Sequence, residues 1–90
     1  MLTLYTREVP TCQWCVLAKE LLDLRGFKYE ELMVNVDITR NDYLSLFKDF
    51  YKNDETKRAT VPLLISNNFV IGGYEDIVKW VETEGNYNYA

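Results

Sequence analysis

The two cysteines of this chain, Cys12 and Cys15, are its only ones and stand three residues apart. That spacing decides how the fold must be held together. A bridge between them encloses too short a loop to restrict the unfolded chain much, whereas a disulfide scaffold spreads four or more cysteines along its length. The pair therefore has little structural value, and packing must supply the stability. Ninety residues suit one domain spanning 1–90, near the lower size limit for a self-sufficient core. A hydrophobic fraction of 48% is ordinary for a folded chain, and seven tyrosines, four phenylalanines and two tryptophans each take a large apolar area out of water.

Charge and hydropathy exclude several classes. Ten Lys and Arg against fourteen Asp and Glu leave a net charge of −4; nucleic-acid binding needs a concentrated basic surface instead. No stretch approaches the ~20 apolar residues that span a bilayer, so no membrane partner is expected. Met1–Tyr5 lacks the basic region and long apolar run of a signal peptide. It reads as the first strand of a mature, cytoplasmic domain.

Along the chain, Leu2–Tyr5 is a short strand. Thr11 and Cys12 open a helix running to about Arg25, with Leu17, Leu21 and Leu24 at i, i+4 and i+7 and Gly26 as the stop. Tyr29–Asp37 reads as a second strand with Leu32, Val34 and Val36 on one face; its two ends are out of phase, which predicts a bulge or a late beginning. Thr39 with Asp42 three residues on resembles a capping box. It opens a helix whose apolar face is Leu44, Phe47 and Tyr51, closed by polar Asn53–Ala59. Val61–Ile65 and Phe69–Ile71 are strands flanking Ser66-Asn67-Asn68, a hairpin turn by composition. Gly72-Gly73 breaks the second of them. A last helix runs from about Tyr74 to Glu82 with Ile77, Val78 and Val81 inward, and the tail Gly85–Ala90 is expected to fray. Phe27, Tyr29, Phe47, Phe50 and Trp80 stand at core-compatible positions. The order strand, helix, strand, helix, strand, strand, helix requires a parallel crossover followed by an antiparallel hairpin. The expected fold is α/β, a four-stranded mixed sheet with three helices.

Cys12-Gln13-Trp14-Cys15 follows a strand and opens a helix. The first cysteine then faces unpaired backbone N–H groups and the positive end of the helix dipole. Both favour the thiolate, which is the nucleophile. Cys15 lies one turn deeper on nearly the same side, where it can reach back and resolve a mixed disulfide. Two blander readings compete: small core residues, or half of a zinc site. Tetrahedral zinc takes four ligands, and the chain has no third cysteine and no histidine. No metal is expected.

Further motifs accompany the pair. Tyr5-Thr6-Arg7, Cys12-Gln13-Trp14-Cys15, Thr60-Val61-Pro62 and Gly72-Gly73-Tyr74-Glu75-Asp76 together resemble the ordered motifs of glutaredoxins of the small bacterial and phage type, over nearly the whole chain. The resemblance implies a thioredoxin-like fold and a glutathione-dependent thiol–disulfide oxidoreductase, with Cys12 and Cys15 catalytic and glutathione as reductant.

It further implies a cis proline at Pro62, leaving the Val61 backbone to pair with glutathione in the manner of strand addition, with Thr60 lining the same groove. Gly73, Tyr74, Glu75 and Asp76 match the site of the γ-glutamyl end: backbone N–H groups at the helix start take the carboxylate, and the Asp76 side chain takes the ammonium. Glu75 stands where many members carry a second Asp. Arg7 matches a basic residue that reaches the glycyl carboxylate, although two additional residues near Val9-Pro10 separate it from the cysteines. Arg58, two before Thr60, could contact the same carboxylate. Trp14 replaces a common Tyr and walls the groove, while Gln13 replaces a Pro. Expected partners are glutathione and a disulfide-bearing protein, ribonucleotide reductase being one candidate, with the chain a monomer. Two alternatives remain at this point: a redoxin reduced by thioredoxin reductase, and a carrier of an iron–sulfur cluster shared between two chains.

Overall fold

A computed structural model describes residues 1–87. The elements in chain order are β1 (Leu2–Thr6), α1 (Gln13–Leu24), β2 (Tyr29–Met33), α2 (Arg40–Phe50), β3 (Leu63–Ser66), β4 (Phe69–Gly72) and α3 (Tyr74–Tyr87). The sheet order is β2-β1-β3-β4. β1 runs parallel to β2 and antiparallel to β3, and β4 is antiparallel to β3. This is the expected four-stranded mixed sheet with three helices.

Alternation along the central strand divides the core in two. Leu2 and Leu4 of β1 pack with Ala18 and Leu22 of α1, Leu64 of β3, and Ile77 and Val81 of α3. Tyr5 points the other way and joins Tyr43 and Phe47 of α2 with Leu63 and Ile65. α1 and α3 therefore cover one face of the sheet and α2 the other. Thr6, only 1% exposed, donates from its hydroxyl to Glu31 at 2.6 Å, and Glu31 pairs with Lys19 of α1 at 3.2 Å. This polar chain ties α1 to the edge strand β2. Among the described residues no helix is long and apolar enough to cross a membrane.

Local signals set several boundaries. Gly26, at φ +76°, ends α1: its N–H donates to Asp23 and the Phe27 N–H to Leu22, both backbone carbonyls. These are the two bonds of a Schellman motif, and Phe27 packs back onto the core. Asn67 and Asn68 both have positive φ, the requirement of a type I′ turn, and join β3 to β4 as a two-residue hairpin loop.

Other expectations need correction. β2 stops at Met33 rather than Asp37, because Asn35 turns at φ +71° and the Asp37 carboxylate accepts from the Met33 N–H at 2.9 Å. Val36 is accordingly exposed. The irregularity expected in that strand lies instead between β3 and β4, where the register shifts between Leu64 and Ile65. The buried stripe of α1 is Cys15, Ala18 and Leu22, not the leucine stripe, and Leu24 is exposed. On α2 the buried residues are Tyr43 and Phe47, with Leu44 partly exposed. α3 continues through residues 85–87, past the expected end at Glu82. The expectation for the last three residues, Tyr89 among them, lies outside the described residues.

Candidate active site

Cys12 is the N-cap of α1, in extended backbone conformation, and its Sγ accepts from the Cys15 N–H at 3.1 Å. The first turn of α1 carries no acidic residue, so nothing there opposes the positive end of the helix dipole at this sulfur. In the oxidised form described here the two cysteines are joined as a disulfide with a Cα–Cα distance of 5.2 Å. Cys15 is 1% exposed and Cys12 5%, so Cys15 is the deeper of the two. On reduction, charge at Cys12 would receive an N–H and a favourable field. Cys15 occupies the inner stripe of the helix, and among the described residues its sulfur accepts no such bond.

The segment before β3 forms the opposite wall. The Val61–Pro62 peptide is cis, as is Val9–Pro10. The Val61 carbonyl oxygen lies 3.9 Å from Cys12 Sγ. Among the described residues no backbone hydrogen bond takes up the Val61 N–H or C=O, while Pro62 has no N–H to offer. Tyr43 anchors this wall by donating from its hydroxyl to the Thr60 carbonyl. Burial pushes that phenol well above the usual tyrosine range, with the nearby Tyr51 and Tyr5 phenols adding to the shift. It therefore stays a donor at any ordinary pH.

Two adjoining hollows lie between the segment before β3 and the start of α3. One, of about 230 Å³, is lined by Trp14, Thr60, Val61, Pro62, Gly73 and Glu75, with Tyr74 also on its wall. Trp14 and Tyr74 face each other across a ring-centroid distance of 5.2 Å. The other, of about 210 Å³, brings Lys57 and Arg58 together with Glu75 and Asp76. Gly73 opens α3, and its carbonyl accepts the Ile77 N–H at 2.9 Å. A Cβ at Gly73 would lie 3.7 Å from the Pro62 carbonyl oxygen, an ordinary contact; at Gly72, whose φ is +125°, it would come within 2.8 Å of the Asp76 Cβ. Gly72 thus serves the fold by letting Asp76 lie over the turn, and Gly73 leaves the groove open.

A third hollow, of about 250 Å³, lies on the other side of Thr60 and Val61 and holds Arg7 and Arg40. Arg7 and Arg58 therefore do not share one site: each lines a different hollow, with Thr60 common to both. The Arg7 Nε donates to the Pro10 carbonyl at 3.0 Å, so the additional residues near Pro10 hold this side chain. The remaining candidates from Trp14 and Arg58 to Asp76 line the two hollows beside α3, while Cys12 lies against Val61 at their edge and Cys15 is buried behind it. The sequence reading missed Tyr43, Lys57 and Arg40. Only Tyr43 left a signal, since Tyr43, Phe47 and Phe50 fall at i, i+4 and i+7.

Comparison with known proteins gives consistent results. The family model described as Glutaredoxin matches residues 2–71. A protein named Glutaredoxin 1 from Rickettsia prowazekii (strain Madrid E) is 30% identical over 83 residues, 92% of this chain and 80% of that protein. The solution structure of glutaredoxin from Brucella melitensis superposes with a TM-score of 0.66 at 25% identity, covering 98% of this chain and 84% of its own. A buckwheat glutaredoxin–glutathione complex superposes at 0.70 with 20% identity, covering 93% and 69% respectively.

Proposed function

This chain belongs to the glutaredoxin family, a class of thiol–disulfide oxidoreductases, and on that premise we propose that glutathione is its reductant and that Cys12 is its nucleophile. The carrying observation is Cys12 Sγ itself, which caps α1 3.1 Å from the Cys15 N–H and faces the unpaired Val61 backbone.

In the proposed cycle the Cys12 thiolate attacks one sulfur of a substrate disulfide. A Cys12–substrate mixed disulfide forms, and the other substrate sulfur leaves as a thiolate that takes a proton from water. Cys15 then attacks Cys12 Sγ, releasing the second substrate thiol and closing the Cys12–Cys15 disulfide. Two glutathiones reopen that bond by successive exchanges and leave as glutathione disulfide.

The groove suits a small zwitterionic peptide. Its γ-glutamyl end carries one ammonium and one carboxylate, and the hollow beside α3 offers Glu75 and Asp76 for the first and Lys57, Arg58 and the helix N-terminus for the second. Val61 pairs with the cysteinyl backbone, Thr60 and Pro62 line the floor, and Trp14 and Tyr74 form the wall over Gly73. Arg7, on the side away from Asp76, takes the glycyl carboxylate, and Arg58 is reassigned to the γ-glutamyl end. The buckwheat complex supports such a peptide on this fold. The same proposal covers protein disulfides as substrates, ribonucleotide reductase among them.

The test is reduction of a small mixed disulfide with glutathione or with thioredoxin reductase as electron source, by the wild type and by Cys12→Ser. Turnover with glutathione that vanishes in the variant is expected. Turnover with thioredoxin reductase alone would overturn the reading and leave Gly73, Glu75 and Asp76 as structural residues.

A further inference from the structure

The hollow holding Arg7 and Arg40 differs in charge from the one beside α3. It is lined by two guanidinium groups and by no carboxylate, in a chain whose net charge is −4. Among the described residues neither arginine is ion-paired. Arg7 is held through its Nε by the Pro10 carbonyl, which leaves its terminal nitrogens for a ligand. Exposed Val9 and partly exposed Leu44 supply an apolar rim, and Val61, whose carbonyl oxygen lies 3.9 Å from Cys12 Sγ, is shared between the cleft and the disulfide. A cleft with apolar walls and two unpaired cations is complementary to an acidic side chain.

The backbone sets which part of a substrate reaches it. Val61 has both an N–H and a C=O without backbone partners, and one residue exchanging both bonds with another is the antiparallel pair. Residues 59 to 62 run from the Arg7–Arg40 cleft toward Gly73. An extended chain paired antiparallel with Val61 runs the opposite way. Its cysteine sits opposite Val61, beside Cys12, and the residues following that cysteine lie over the cleft.

We propose that the Arg7–Arg40 cleft selects polypeptide disulfides whose reactive cysteine is followed by an Asp or Glu. This rests on the substrate-pairing role of Val61 proposed above but not on glutathione as the reductant. Arg40 is the first residue of α2, so replacing it by Glu places an acid at a helix N-terminus, where it favours folding.

The experiment uses the pre-reduced protein without glutathione, in single turnover at low ionic strength. Its substrates are two disulfide-closed peptides differing only in Asp-Asp or Asn-Asn after the attacked cysteine, with hydroxyethyl disulfide as the neutral reference. The wild type should reduce the acidic peptide about fivefold faster, a preference that shrinks as salt rises. Arg40→Glu should abolish or invert it and leave the neutral disulfide unaffected. Equal rates for the two peptides in the wild type overturn the proposal, as does a preference that survives Arg40→Glu. A preference that persists while glutathione fails to recycle the enzyme overturns the reductant assignment alone.

Discussion

Helices α1 and α2 begin with the same device and use it for different ends. Cys12 Sγ accepts from the N–H three residues on at 3.1 Å, and Thr39 Oγ1 does likewise at 3.1 Å. At α2 the cap is a neutral oxygen in an exposed position, and Asp42 in the first turn answers the helix dipole. At α1 the cap is a buried sulfur with no acid in the first turn. A neutral sulfur is a weak acceptor, so it is a poor cap until it carries charge. One geometry thus stabilises a helix when the cap is a hydroxyl and stabilises an anion when the cap is a thiolate. The absence of a first-turn carboxylate at α1 keeps the field for the sulfur.

Substitutions at the two caps separate these uses. Cys12→Ser removes the sulfur but leaves a favourable N-cap; thiol-exchange turnover should fall to background while the thermal midpoint stays close to wild type. Thr39→Ala should do the reverse, lowering stability by about 1 kcal/mol in urea titration, with turnover unchanged. Gln13→Glu brings to α1 the acid that α2 already has. Negative charge beside Cys12 disfavours the thiolate, so its pKa rises and the acid limb of the rate profile moves up by about half a pH unit. Asp42→Asn makes α2 resemble α1, and should cost about 0.5 kcal/mol, less at high salt. If Gln13→Glu left the rate profile in place, the helix field would have no part in activating Cys12.

A further pH dependence lies outside the caps. Burial, a hydrogen bond to Asp23 and the charges of Asp23 and Glu31 push the Tyr29 phenol up to about 12. A group whose folded pKa exceeds its unfolded value holds its proton more tightly in the folded state. Its contribution is complete below the ordinary tyrosine pKa of about 10 and is lost as pH climbs toward 12. Tyr29→Phe should flatten the stability curve over that window in denaturant titrations.

What could be read from the sequence was largely local. Cys12, Gly26, Thr39 and the Asn67-Asn68 turn act through their own neighbours, and each does in the structure what its residue type requires. The cysteine pair was visible for the same reason, whereas the groove at Pro62 and Gly73 followed from the resemblance of the motifs to a family. The misreadings came where distant contacts decide. Leu24 matches a helical period as well as Leu22 does, but α3 and β1 pack against the Ala18–Leu22 side. The end of β2 depends on a side chain folding back from Asp37, which periodicity does not register. Arg7 and Arg58 look alike in sequence, and only the path of the chain around Thr60 assigns them to different hollows.

That carboxylate of Asp37 also bears on how the protein meets other strands. The Val34 N–H points inward to the Thr6 carbonyl, so by alternation the amides of Tyr29, Glu31 and Met33 point outward from the sheet. Asp37 occupies the Met33 amide, and the neighbouring Glu30 and Glu31 carry charge along the short stretch that is left. An edge so shortened and charged is a poor template for aggregation. The proposed cycle admits extended polypeptide at one backbone position, Val61, and on this side of the sheet Asp37 denies it a second.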